Sequence, residues 1–359
     1  METEKSILHV DMDAFFASVE RNRKSLEGPI VVCVYSGRSE DSGAVSTCSY
    51  DARDLGIHAA MPIVRAKEIV EESGEDVNFV AMDREYYRDV SDRIREAVLE
   101  NYSDKVEQAS IDEAYLELDK SIGDATETAE EIQEEVLEEF DLTCSIGIGP
   151  NKLVAKMASD REKPEGLTVV HEDEIEEFMR DLELDDIHGI GERTVEKLEE
   201  LGIDSVENLA EADKSLLVRE FGENLGMKLK KKAQGKDDSE VKDRDQKQIT
   251  RITTLGENSS RASYIVKYFP DLADEILEKA EEKGVGFRKV ALIIIDTEIE
   301  MHTRTTTLKS HVQDREIIIE KGEELLESFL EEFEGEVRRV GLRILDLKEV
   351  GDQQSLEDF

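Results

Sequence analysis

Ser110-Ile111-Asp112-Glu113 is the stretch from which the fold and chemistry of this chain are predicted. It lies between residues 107–110 and 114–118, both of strand character. In the second run apolar and polar side chains alternate with the period of two that is typical of a half-buried strand. The sequence therefore predicts a β-hairpin that places Asp112 and Glu113 at its bend.

A second acidic pair follows an apolar segment near the N-terminus. Residues 7–10 (Ile-Leu-His-Val) predict a strand that runs directly into Asp11 and Asp13. Carboxylates at the ends of adjacent strands repel one another unless cations neutralise them. Mg²⁺ suits such oxygen donors, and the pattern favours two-metal-ion phosphoryl or nucleotidyl transfer. Ordinary turn acids in an acid-rich chain are the alternative interpretation.

Length and composition limit the class of protein. The chain has 359 residues, which predicts about two to four modules. Its formal charge is −42, from 88 acidic and 46 basic residues, yet 38% of the residues are apolar and follow regular periods. This favours a folded protein with an acidic surface, as in halophiles, where molar salt shortens the Debye length to about 3 Å. An acidic protein from an ordinary cell is the alternative.

Cysteine spacing and hydropathy exclude several classes. Cys33, Cys48 and Cys144 form no CxxC motif and predict neither disulfides nor zinc. We find no signal peptide and no apolar run of membrane-spanning length, so we expect a cytoplasmic protein with no membrane partner.

Aromatic and basic residues near the acids suggest a nucleotide site. Phe15 and Phe16 follow Asp13, although a core aromatic pair is the commoner use of phenylalanine. Tyr50 and Arg53 are three residues apart and share a helix face that could grip a triphosphate, since arginine binds phosphate oxygens in pairs. Lys152 near a predicted helix N-terminus could also meet a phosphate, although the Walker spacing is absent.

The C-terminal half has features of nucleic-acid binding. Gly189 and Gly191 lie in a helix-hairpin-helix pattern, residues 187–201, whose glycines let backbone N–H groups approach a DNA phosphate. Residues 221–226 resemble a weaker second copy. A lysine cluster then favours phosphate contact over a solvated helix end; its members are Lys228, Lys230, Lys231 and Lys232.

Beyond a polar linker at 236–248, the predicted order is β-α-β-β-α-β, a compact α+β domain with a four-stranded sheet. Basic residues lie on or beside its strands, and we expect the sheet to present a basic face to DNA. They are Arg251, Arg288, Lys289, His302, Arg304, Arg338, Arg339 and Arg343.

Together these motifs resemble those of the Y-family translesion DNA polymerases, closest to the archaeal DNA polymerase IV type. The match covers essentially the whole chain in order. It is carried by VDMDAFFASVE at 10–20, Gly43-Ala44-Val45 through Tyr50 and Arg53, SIDEAY at 110–115, GIG at 147–149 with Asn151-Lys152, and Lys163-Pro164 with Gly166.

The resemblance implies a multidomain α+β right-hand architecture. The palm would comprise residues 1–22 and 82–169, interrupted by small fingers at 23–81. A helix-hairpin-helix thumb would span 170–235, the linker 236–248 and the little finger 249–349. A tail would follow at 350–359.

The resemblance also implies roles for single residues. Asp11, Asp112 and Glu113, with the Met12 carbonyl, would bind two Mg²⁺ ions, for which Mn²⁺ can substitute, and Asp13 would be structural. Phe16 would be the steric gate against the ribose 2′-OH, and Phe15 would pack near the sugar. Thr47, Tyr50, Arg53 and Lys152 would hold the triphosphate, and Ala44 would roof the nascent base pair. The implied DNA-binding residues are Gly189, Gly191, Lys230, Lys231, Arg251, Arg288, Arg304 and Arg339.

The implied activity is template-directed addition of dNTPs to a primer 3′-OH, with low fidelity, damage bypass and no proofreading exonuclease. The expected partners are primer-template DNA and dNTPs, and the expected state is a monomer. A metal-dependent nuclease could use the same carboxylates, and a non-catalytic DNA-binding repair adaptor would need only the hairpin motifs and the basic sheet.

The last residues predict a further partner. Gln353, Leu356 and Phe359 reproduce the Q-x-x-L-x-x-F spacing of sliding-clamp-binding peptides, without the second terminal aromatic. On one helical turn, Leu356 and Phe359 would share a face that fits a small apolar pocket. A frayed polar tail is the alternative.

Overall fold

A computed structural model describes residues 5–39, 41–243 and 247–350. They form two compact units, the first made of Met1–Val34 and Ala44–Arg244 and the second of Tyr35–Gly43 and Asp245–Phe359. Within the described ranges no helix is both long enough and apolar enough to cross a membrane.

The first unit combines two sheets with helices on their faces. Its strands are β1 (Ser6–Met12), β2 (Ile30–Tyr35), β3 (Gly43–Cys48), β4 (Asn78–Ala81), β5 (Val106–Gln108), β6 (Glu113–Leu118), β7 (Cys144–Gly149) and β8 (Leu167–Val169). Its helices up to residue 161 are α1 (Phe15–Lys24), α2 (Tyr50–Asp54), α3 (Ile63–Ser73), α4 (Arg84–Ile94), α5 (Glu100–Tyr102), α6 (Ala125–Phe140) and α7 (Lys152–Arg161). A π-helical turn, Arg95–Leu99, joins α4 to α5.

The predicted hairpin is confirmed and lies in a five-stranded sheet of order β5-β6-β1-β7-β8. Strand β1 pairs antiparallel with β6, which sets Asp11 opposite Glu113. Val10 and Met12 are buried in the main hydrophobic core. Because side chains alternate along a strand, Asp11 lies on the other face of the sheet.

Helix α7 covers that other face, and glycines allow it to approach closely. A Cβ atom added to Gly147 would lie 2.0 Å from the Ala155 carbonyl oxygen, a distance that no side chain tolerates. The Asn151 side chain caps the helix by accepting a hydrogen bond from the Val154 N–H. The Gly-Ile-Gly strand therefore brings the residues of α7 directly over β1.

Short helices form the rest of the first unit. They are α8 (Ile175–Arg180), α9 (Glu192–Glu200), α10 (Val206–Glu211), α11 (Lys214–Phe221) and α12 (Glu223–Ala233). They share a hydrophobic cluster that includes Ile187, Leu198, Leu209 and Leu229. Gly189 adopts φ +81°, a left-handed conformation that favours glycine, in the turn before α9.

The second unit has the predicted β-α-β-β-α-β order and a sheet of order β11-β10-β12-β9. Its elements are β9 (Gln248–Ser259), α13 (Ala262–Ile265), α14 (Phe269–Glu282), β10 (Val285–Asp296), β11 (Met301–Val312), α15 (Arg315–Glu332) and β12 (Val337–Glu349). Phe269, Leu292, Phe329 and Leu342 are among the core residues between sheet and helices.

The turn between β10 and β11 includes a residue with a positive φ angle. The structure starts β11 at Met301, and Ile299 adopts φ +70° in the turn. Asp296 fixes this turn because its carboxylate accepts hydrogen bonds from the backbone N–H groups of Glu298 and Glu300. A local side-chain bond to backbone thus competes with strand pairing.

Candidate active site

Strand pairing brings the predicted acidic residues together. Asp11 and Glu113 face each other across β1 and β6, and the Met12 N–H donates to the Asp112 carbonyl oxygen at 2.9 Å. The Asp11 side chain is 9% exposed and that of Glu113 is 24% exposed. The three acids therefore converge where β1 ends and the hairpin turns.

Two lysines that were not predicted as site residues neutralise these acids. Lys156 Nζ lies 3.2 Å from Asp11 Oδ2 and 2.8 Å from Glu113 Oε1. Lys163 Nζ lies 2.7 Å from Asp11 Oδ2 and 2.8 Å from Asp160 Oδ1. One ammonium group thus bridges two of the predicted metal ligands, so a cation fits between these carboxylates.

The pKa shifts reflect competition between burial and the lysines. Burial raises the pKa of Asp11 to about 6, against the opposing charges of Lys163 and Lys156. Burial also acts to raise the pKa of Glu113, but the neighbouring His9 and Lys156 hold it below its usual range. Asp11 and Glu113 together therefore form a partly buried anionic site that nearby positive charge stabilises.

His9 lies behind Glu113 and was not predicted as a site residue. Its Nδ1 atom is 2.7 Å from Ser159 Oγ, and its ring packs on Tyr115 with centroids 4.6 Å apart. Burial lowers the pKa of His9 to about 4, so the imidazole is neutral near pH 7. The sequence did contain a signal for this position, because His9 precedes Asp11 by two residues and so lies on the same face of the predicted strand.

Asp13 has a different environment from Asp11. Its carboxylate accepts hydrogen bonds from Ser145 Oγ at 2.8 Å, Tyr50 Oη at 3.3 Å and the Glu165 N–H at 2.9 Å. The side chain is buried. These contacts tie β1 to β7 and to α2.

One cavity of about 290 Å³ joins the acids to most of the predicted nucleotide-binding residues. Its lining includes Asp11, Met12, Phe15, Phe16, Thr47, Tyr50, Arg53, Asp112, Glu113, Lys156 and Lys163. The Arg53 guanidinium lies 4.6 Å from the Tyr50 ring centroid, as expected for neighbours on one helix face. A larger cavity of about 760 Å³ near α8 and α10 carries none of the predicted site residues.

Two predicted nucleotide-binding residues do not line this cavity. Ala44 lies in β3 and bridges to Pro62. Lys152 Nζ lies 2.6 Å from Glu107 Oε2 and 4.7 Å from the Tyr115 ring centroid, and lines a separate cavity. Lys156 is one turn further along α7, and that turn carries its ammonium group to the acids instead.

The predicted thumb contacts are partly engaged within the first unit. Lys230 Nζ donates to the Ala212 carbonyl, and Lys231 Nζ lies 2.6 Å from Asp238 Oδ2. Gly191 begins α9 as its N-cap. A lysine-rich cavity of about 470 Å³ adjoins this turn; its lining includes Lys152, His188, Lys228, Lys231, Lys232 and Lys236.

The predicted basic residues of the second unit divide between the two faces of the sheet. Arg251 pairs with Glu275 of α14 at 2.9 Å and Arg304 with Glu332 of α15 at 3.0 Å, so both lie on the helix side. Arg339 and Arg343 alternate with buried Val340 and Leu342, which places them on the open face.

Arg288 also has an acidic partner, since its Nη2 atom lies 2.7 Å from Asp346 Oδ2. Arg251 and Arg304 thus lie on the helix side of the sheet, whereas Arg339 and Arg343 lie on its open face, and DNA binding by these residues stays a prediction. The pairing register of the strands determines which arginines face the acids of α14 and α15. The sequence alone did not specify that register.

Comparisons with known proteins identify the family. Residues 10–160 match the impB/mucB/samB family, residues 172–203 the helix-hairpin-helix motif of that family, and residues 246–357 its C-terminal domain. DNA polymerase IV 1 of Methanosarcina mazei is 42% identical over 99% of this chain and 100% of its own length. DNA polymerase IV of Nitrosopumilus maritimus is 33% identical over the full length of both chains.

Comparison with solved structures gives the same family. A Y-family DNA polymerase chimera of Dbh and Dpo4 has a TM-score of 0.87 and 32% identity, covering 96% of this chain and 100% of its own. An insertion ternary complex of Dbh DNA polymerase has a TM-score of 0.69 with the same identity and coverage. The chain therefore belongs to the impB/mucB/samB family, the Y-family DNA polymerases of the DNA polymerase IV type. Its fold is the mixed α+β fold of these polymerases, and members of the family are metal-dependent.

Proposed function

We propose that this protein is a DNA-directed DNA polymerase of the translesion type, which adds dNTPs to a primer 3′-OH on a DNA template. The observation that carries the proposal is the cavity that joins Asp11, Asp112 and Glu113 to Phe16 and to Tyr50 with Arg53. A nuclease would use the acids but has no need of an aromatic gate and a triphosphate grip.

We propose the domain bounds that the resemblance to this family implies. The palm comprises 1–22 and 82–169 and the fingers 23–81; the thumb is 170–235, the linker 236–248, the little finger 249–349 and the tail 350–359. Support comes from the five-stranded sheet that lies within the palm ranges and from the four-stranded sheet within the little finger. Within the second unit, Arg38 donates a hydrogen bond to the Leu255 carbonyl at 2.8 Å.

In the proposed mechanism, Asp11, Asp112, Glu113 and the Met12 carbonyl would hold two Mg²⁺ ions, or Mn²⁺ as a substitute. When bound, such ions activate the primer 3′-OH and neutralise the phosphate charge. The triphosphate would be oriented by five residues of the cavity, which are Thr47, Tyr50, Arg53, Lys156 and Lys163. In-line attack on the α-phosphate then extends the primer and releases pyrophosphate.

Primer extension tests the function directly. With a labelled primer on undamaged and lesion-bearing templates, we expect template-directed extension that needs dNTPs and a divalent cation. Degradation of the primer without extension would support the nuclease instead. DNA binding with neither reaction would support the adaptor.

Lysine variants test which ammonium group holds the triphosphate. Lys163→Ala should raise the KM for dNTP about tenfold, the loss expected for one hydrogen bond between charged groups. Lys152→Ala should leave this KM unchanged but lower the free energy of unfolding by about 3 kcal/mol, because it removes a partner of buried Glu107. Steady-state kinetics and urea denaturation measure the two effects. The opposite assignment, with only Lys152→Ala raising the KM, would restore Lys152 to the nucleotide site.

We further propose that the enzyme works at high salt, as in a halophilic archaeon. Its charge of −42 destabilises the compact state unless salt screens the acids. We expect primer extension to persist or peak at about 1 to 3 M KCl, where the Debye length is about 3 Å or less. Circular dichroism and extension across a KCl series measure this. A fold that is complete at low salt and collapses above about 1 M KCl would contradict it.

The predicted clamp-binding residues Gln353, Leu356 and Phe359 lie outside the described residues. We retain the proposal of a sliding-clamp partner from their spacing alone, and a cytoplasmic monomer stays a prediction. Tethering raises the local concentration at the primer end without new active-site contacts.

The clamp test compares the full chain with one that ends at Gly351. The full chain should be stimulated at least about tenfold by the clamp at limiting enzyme, and the shortened chain should not. Extension without the clamp serves as the control, because both chains should then have equal rates. Equal stimulation of both chains would show that the tail is not the contact.

A further inference from the structure

The ring of Phe16 stacks on a buried aromatic side chain behind it. Tyr87 of α4 stacks on Phe16 with ring centroids 4.5 Å apart and an interplanar angle of 17°. Tyr87 is completely buried, whereas Phe16 lines the active-site cavity. The position of the Phe16 ring is therefore set on one side by Tyr87.

A buried carboxylate in turn fixes Tyr87. The Tyr87 hydroxyl donates to Glu20 Oε1 at 2.9 Å, and the Glu20 side chain is 0% exposed. Glu20 follows Phe16 by four residues on α1, so both occupy one face of that helix. Tyr87 thus contacts α1 at two points, through its ring at Phe16 and through its hydroxyl one turn later.

The electrostatics suit a fixed hydrogen bond. Burial, together with the hydrogen bond to Glu20, raises the pKa of Tyr87, so its hydroxyl keeps the proton that it donates. Glu20 Oε2 lies 2.6 Å from Lys24 Nζ, which compensates the charge of the buried carboxylate. A hydrogen bond to an ionised acceptor is stronger than one between neutral groups.

We propose that Glu20 and Tyr87 are positioning residues that set sugar specificity by holding the Phe16 ring against the ribose 2′-OH. This rests on the proposed polymerase function and on Phe16 as the gate. A side chain that excludes a single hydroxyl must not yield by even a fraction of an ångström, and such placement requires locked neighbours. Without the Tyr87 hydroxyl bond, the stacked pair can tilt and admit the larger sugar.

The test is the ratio of kcat/KM for a dNTP to that for the matching rNTP. Tyr87→Phe removes only the hydroxyl and should lower this ratio about tenfold, the loss expected for one hydrogen bond to a charged group. Glu20→Met removes the acceptor at similar side-chain length and should give the same loss. The double variant should lose no more than either single one, because both act through one bond. Both kcat/KM values of a ratio are measured on one preparation. A reduced fraction of folded enzyme therefore lowers both values equally and leaves their ratio unchanged.

Two controls separate this inference from the function beneath it. Tyr86→Phe changes the adjacent tyrosine, whose ring lies 4.1 Å from the Arg23 guanidinium, and should keep the parent ratio. Phe16→Ala should lose discrimination further than Tyr87→Phe. If Phe16→Ala loses discrimination while Tyr87→Phe and Glu20→Met keep the parent ratio, the positioning role of Tyr87 and Glu20 is refuted, and Phe16 remains the steric gate. If Phe16→Ala itself keeps the ratio, the gate assignment fails and this inference fails with it.

Discussion

Replacing Glu113 or Asp112 with alanine is expected to lower the rate of nucleotide addition by roughly 10³-fold or more, because several kcal/mol of transition-state charge stabilisation is lost. Asp11 and Glu113 face each other across β1 and β6, and Asp112 precedes β6 by one residue. Single-turnover primer extension at saturating dNTP measures the loss.

DNA affinity and a matched carboxylate are the controls for this result. Both variants should bind primer-template DNA as tightly as the parent, measured by fluorescence anisotropy, since loss of an acid removes no contact to the duplex. Asp119→Ala, an exposed acid that follows β6, should extend primers at the parent rate. Extension by Glu113→Ala and Asp112→Ala within a few-fold of the parent would refute the active-site assignment.

The acidic centre was predictable because its determinants are local. Alternation along residues 114–118 predicted β6, and the apolar run before Asp11 predicted β1. The structure buries Val10 and Ala114 as these patterns predict, but it also buries the other face of β1, which α7 covers. Pairing of the two strands then brings the acids together without any further information.

The cationic partners were not predictable in the same way. Lys156 pairs with Asp11 across 145 positions of sequence, and its identity depends on how α7 rotates over β7. Lys152 shares its side of the helix but lies one turn earlier and reaches Glu107. Arg251 and Arg304 likewise depend on register, since a shift of one residue would move each to the open face of the sheet. Long-range packing decides such cases, and a single sequence does not specify it.

Replacing Phe16 with alanine is expected to raise ribonucleotide incorporation relative to deoxyribonucleotide incorporation about 100-fold, the scale on which a pocket rejects one extra hydroxyl by contact. Phe16 is half-buried and lines the same cavity as Glu113 and Tyr50, so its ring borders the space for an incoming nucleotide. Removing the ring opens room for a 2′-OH and leaves the acids and the triphosphate contacts in place. The measurement is kcat/KM for matched dNTP and rNTP pairs on one template.

Retained activity on dNTPs is the condition that makes this change informative, since only the ratio reports on the gate. Phe79→Ala is the matched control: this ring packs against the hydrophobic cluster of the β3-β2-β4 sheet, outside the cavity lining. That variant should keep the parent ratio even if its free energy of unfolding falls by a few kcal/mol. An unchanged ratio in Phe16→Ala would assign Phe16 to core packing against Tyr87, and sugar selection would then have to come from another residue of the cavity.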